Sequence, residues 1–147
     1  MEKQLRNGVW AILSILATDK NEKLLKNFIL IYTFATIFVA LFGAVYECFS
    51  HGVYSYYMIY AFAYPLVMGV VPYMIIAFTK TGQMPGKLSF NLYNSGIATL
   101  TIGSIVEGIL KIYGTENAKT FIYWIVGIQL VLIGVLLYLI GTMFEKN

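Results

Sequence analysis

The sequence predicts an all-α, polytopic membrane protein: four transmembrane helices in a bundle, led by an amphipathic helix in the membrane interface. Three observations predict it. Four apolar stretches, 28–49, 57–78, 90–113 and 121–144, each offer about the 20 residues a helix needs to cross the hydrocarbon core. The second and fourth carry no charged residue, the first only Glu47, and the third only Glu107 and Lys111. Hydrophobic residues are 59% of a 147-residue chain, and the connections 50–56, 79–89 and 114–120 are too short to fold as a soluble module. Function is therefore expected within the helices or at their ends.

Residues 1–27 form a cytoplasmic arm, and 28–147 the transmembrane domain. On a helical wheel Leu5, Val9, Ile12, Leu13 and Leu16 share one side of the arm, opposite Lys3, Arg6, Asn7 and Ser14. That pattern suits a helix lying in the interface, where apolar burial and attraction to anionic lipid act together. Lys3 and Arg6 before an apolar run resemble a signal peptide. The run is short, however, and Ala17-Thr18-Asp19 is a poor cleavage site, so the arm is expected to be retained.

In the first span Tyr32, Thr36, Ala40, Gly43, Glu47 and Ser50 lie within one narrow arc. Lipid and Leu side chains are equally apolar, so small residues mark the face where backbones approach. Glu47 is thus expected to point into the bundle. The second span carries Pro65, Gly69 and Pro72, which should bend it and free backbone carbonyls. Irregular backbone at this depth is tolerated only within protein or beside a cavity. Tyr57, Tyr60 and Tyr64 form a stripe near its beginning.

The third span repeats the small-residue stripe with Leu92, Gly96, Thr99, Gly103, Glu107 and Leu110, and its Asn91 and Asn94 lie towards the cytoplasmic end. The fourth spaces Gly127, Gly134 and Gly141 seven apart, a packing signature, with Gln129 on the opposite side.

Eight of the ten Lys and Arg residues fall in the arm, the 79–89 connection and the tail. The positive-inside rule then places both termini in the cytoplasm of a multi-pass cell-membrane protein. Net charge is only +3 and no basic stripe carries exposed aromatics, which sets nucleic acid aside as a partner. One cysteine, Cys48, permits neither an internal disulfide nor a CxxC pair.

The concentrated polar chemistry lies at the extracytoplasmic ends. Glu47, His51, Tyr57, Tyr60, Tyr64 and Glu107 are the candidate ligand-binding residues, and ionisable groups in a bundle point to function. His51 is one turn beyond Glu47, and Lys111 one turn beyond Glu107, so each acid has a local partner if the helices continue. Two carboxylates and a histidine are metal-ligand types, but their spacing matches no metal signature and implies no particular cofactor. No nucleophile is marked, and no catalytic residue is assigned. The favoured function is binding or transport of a small solute or ion through an outward-facing polar cavity lined by the two glutamates and tyrosines, in a homo-oligomer. The alternative is a non-catalytic accessory or structural subunit of a larger membrane complex. An enzyme acting on a lipid-like substrate comes third.

Overall fold

The computed structural model describes residues 2–79 and 85–145. Lys80 and Lys146, which enter the charge asymmetry, lie outside them, as do the side chains of Lys3, Leu5 and Ser14. The described residues hold no strand, and four helices are long and apolar enough to span a membrane. This is an all-α integral membrane fold.

Helix α1 runs unbroken over Glu2–Phe49, a rise of about 72 Å against a hydrocarbon core of about 30 Å. The arm is helical, and no break separates it from the first span. The physical reason is local: Glu22, Lys23, Leu24, Leu25 and Lys26 are all strong helix formers. An Asp19–Lys23 pair, 3.0 Å apart, adds support at four-residue spacing. Val9, Ile12, Leu13 and Leu16 remain exposed.

The second span is assembled from pieces. Helix α2 covers only Tyr56–Ile59; a π-helical segment follows at Tyr64–Val70 and helix α3 at Val71–Thr79. Two prolines without an N–H explain the departure from a regular ladder. Carbonyls left over by these breaks are taken by side chains of the next helix, α4 (Lys87–Ile112). The Tyr93 hydroxyl donates to the Met68 carbonyl at 2.8 Å, and the Ser104 hydroxyl to the Tyr57 carbonyl at 2.7 Å. The expected bend is thus present, and its cost in hydrogen bonds is met inside the bundle.

Helix α5 (Phe121–Glu145) makes the most extensive contact, with α4. A Cβ on Gly96 would lie 2.9 Å from the Gly127 carbonyl, and one on Gly103 2.5 Å from the Tyr123 Cβ. Gly134 meets the Tyr93 backbone in the same way. Gly141 departs from the expected seam, since a Cβ there would meet nothing within 4 Å among the described residues. It lies beyond the stretch where the two helices touch.

Both inward stripes are present. Met58 is almost fully buried between Gly43 of α1, where a Cβ would sit 3.0 Å from its carbonyl, and Gly108 of α4. That wedge holds α2, and with it Ser55 and Tyr57, against both helices. At the opposite end Tyr32 and Tyr73 both donate to Asn94 Oδ1, at 2.6 and 2.9 Å. Rings of Phe28 and Phe90, 4.5 Å between centroids, close that end. Asn94 Oδ1 is therefore satisfied by phenols within the bundle.

Candidate functional site

The six candidate residues fall into separate environments, each set by how a helix ends. Helix α1 stops at Phe49, and His51 turns the chain with a left-handed φ of 55°, followed by Gly52 at 87°. Histidine tolerates that region better than most residues, and glycine costs nothing there. The turn carries His51 to an exposed position, so the local Glu47–His51 pair does not form. Instead, Glu47 Oε1 accepts a hydrogen bond of 3.0 Å from the backbone N–H of Ser55. Glu47 closes the 50–55 loop onto the end of α1. Its Oε2 and the Ser55 hydroxyl are buried and find no partner among the described residues. His51 borders a different hollow, with Tyr46, Phe49 and Tyr113.

Glu107 also reaches forward in the chain. The Thr120 hydroxyl, immediately before α5, shares its one proton between Glu107 Oε2 at 2.5 Å and the Asn117 carbonyl at 2.7 Å. Thr120 is buried, so this link pins the start of the fourth span to the third. The expected Glu107–Lys111 pair is replaced by one between Lys111 and Glu116, 2.6 Å apart. Lys111 turns to the 113–117 loop because that loop supplies a closer carboxylate than its own helix. The hydrogen bond and charge of Lys111 hold the Glu116 carboxyl below the usual carboxylate range. Glu107 Oε1 accepts no hydrogen bond among the described residues.

Two adjoining hollows make up the candidate site. The polar one, of 470 Å³, is bordered by Glu107, Lys111, Glu116, Tyr57 and Trp124. The aromatic one, of 480 Å³, is bordered by Tyr57, Tyr60, Tyr64, Val67, Ser104 and Trp124. Tyr57 and Trp124 border both. Their ring centroids are 6.1 Å apart, and the Trp124 ring meets Tyr64 edge-on at 5.8 Å. Of the sequence candidates, Tyr57, Tyr60, Tyr64 and Glu107 thus belong to one continuous surface, whereas Glu47 and His51 border neither hollow.

Sequence reasoning missed Trp124, Ser104 and Thr120. For Thr120 a signal was present, a hydroxyl residue directly before an apolar helical run. Trp124 carries no such signal; in an apolar span its position towards lipid or neighbour is undetermined until α5 is docked.

Among the described residues no group of three or more His, Cys, Asp or Glu side chains is placed to hold a metal ion. A separate apolar hollow of 240 Å³ lies at the opposite end, bordered by Pro72, Phe90, Tyr93 and Tyr138. No protein family, curated protein or solved structure matches this chain, so a functional reading rests on the geometry of these hollows.

Proposed function

We propose that this protein binds a small amphipathic molecule in the cleft between its second, third and fourth spans. The observation that carries the reading is the wall shared by Tyr57 and Trp124. On one side of it lies an apolar aromatic surface, on the other a polar surface with two carboxylates and one ammonium. Pockets that bind small molecules combine largely apolar linings with a few placed polar groups. The charge asymmetry supports cytoplasmic termini in a cell membrane, which puts this cleft at the extracytoplasmic side. Labelling of Tyr54→Cys in a Cys48→Ser background by an impermeant reagent, without membrane disruption, tests that orientation; Tyr54 is 72% exposed.

The binding test uses Trp124 as reporter in a Trp10→Phe protein, which has no other tryptophan. Chain-brominated dodecyl amphiphiles with positive, uncharged and negative headgroups are titrated into the protein in nanodiscs. Saturable quenching by at least one of them, removed by Val67→Phe, which fills the hollow without adding a second tryptophan, is expected. Quenching that rises linearly with bromine for all three overturns the proposal.

A second reading, an accessory subunit or self-associating protein, is favoured by Gln129. It is exposed near the middle of the fourth span, among apolar side chains, with no hydrogen-bond partner among the described residues. A polar amide at that depth gains from a partner helix, by about 1 kcal/mol. Loss of a cross-linkable oligomer in Gln129→Leu, with binding to the cleft unchanged, would place the two readings on different faces of one protein.

A further inference from the structure

We infer that the ligand of the Tyr57–Trp124 cleft is an organic cation, an alkylated ammonium on a hydrocarbon body; the inference rests on the binding reading above. The charge balance of the polar hollow carries it. Three ionisable side chains border that hollow: Glu107, Lys111 and Glu116. Lys111 and Glu116 are 2.6 Å apart and satisfy one another. Glu107 has only the neutral Thr120 hydroxyl, on one oxygen. Two carboxylates therefore share the one ammonium of Lys111, which leaves a net negative charge at the end of a membrane span, where a carboxylate is costly unless paired.

The neighbouring rings define the rest of the ligand. Tyr57 and Trp124 flank the hollow, and aromatic faces attract cations, most strongly for Trp and in desolvated settings. Beyond them the surface offers Tyr60, Tyr64 and Val67 and no charged side chain. An anion would meet Glu107, and a strongly hydrated inorganic cation would find no use for the aromatic side. A cation whose charge is spread over alkyl groups uses both. The same chemistry occurs in two sources, the choline headgroup of a phospholipid and a free amphipathic ammonium.

The test compares dodecyltrimethylammonium with its uncharged isostere, in which a quaternary carbon replaces nitrogen, by Trp124 emission in the Trp10→Phe protein. The cation is expected to bind about tenfold more tightly, the preference that a desolvated cation–ring and carboxylate contact supplies. Glu107→Gln keeps an acceptor for Thr120 and is expected to abolish the preference. Equal binding of the two probes, still removed by Val67→Phe, overturns the cation assignment and leaves the cleft intact. Saturation by neither overturns both. A preference that survives Glu107→Gln overturns the counter-ion role, and should that variant fail to assemble, the comparison on the unaltered residue decides. Repeating the titration in phosphatidylcholine and in uncharged galactolipid nanodiscs separates the sources. Weaker binding in phosphatidylcholine identifies the headgroup as occupant, and equal binding a free cation.

Discussion

The Tyr93 hydroxyl donates to the Met68 carbonyl, four residues before Pro72, the one position on that turn that can offer no amide. A phenol of the third span thereby completes the backbone of the second. The pairing converts a helix-breaking proline into an inter-helix contact, and it places Tyr57 and Tyr64 where Trp124 can meet them.

Removing that hydroxyl should be felt through the backbone. Tyr93→Phe is expected to lower stability by about 1 kcal/mol, since a half-buried carbonyl loses its side-chain donor. In a Pro72→Ala background the restored amide competes for the same carbonyl, and the Tyr93→Phe effect should shrink. A double-mutant cycle on unfolding in mixed micelles measures the coupling, and additive effects would contradict the assignment.

Close packing of α4 on α5 yields a sharper contrast. Gly103→Leu drives side-chain atoms into Tyr123 and should cost roughly 3 kcal/mol or more. Ile102 is 51% exposed, so Ile102→Leu should be nearly silent. Equal melting temperatures for the two would show that the stripe faces elsewhere.

Glu47 is expected to act as a loop clasp. Glu47→Ala leaves the Ser55 N–H unpaired and should destabilise by roughly 1–3 kcal/mol, whereas Glu47→Gln retains the acceptor and should cost much less. Cation binding should be unchanged in Glu47→Gln, because Glu47 borders neither hollow. Loss of binding without loss of stability would return it to the site.

The Lys111–Glu116 pair sets a pH dependence of defined sign. Glu116 is held below the usual carboxylate range, so the pair is complete above that range and is lost as pH falls through the lowered value. Both groups are solvent-exposed, and melting temperature should barely respond. Carboxyl NMR should show Glu116 titrating low and returning to its ordinary range in Lys111→Met.

Membrane character, span number and the inward faces of the first and third spans were legible in the sequence. Length, hydropathy and the periodicity of Gly43, Gly96 and Gly103 are local properties, and lipid leaves small residues only one useful direction. The prolines likewise announced an irregular second span. The partners of the polar groups were not legible. Glu47 finds Ser55 because α1 stops at Phe49 and His51 adopts a left-handed turn, and Glu107 finds Thr120 because the 113–117 loop draws Lys111 away. Asn94 finds Tyr32 and Tyr73 because three helices converge on it. Above all, the wall that Tyr57 shares with Trp124 exists only once α5 has docked on α4 through glycine backbones. Periodicity specifies which side of a helix is buried; the rotation and depth at which two buried sides meet depend on contacts far apart in the chain, and those contacts decide the site.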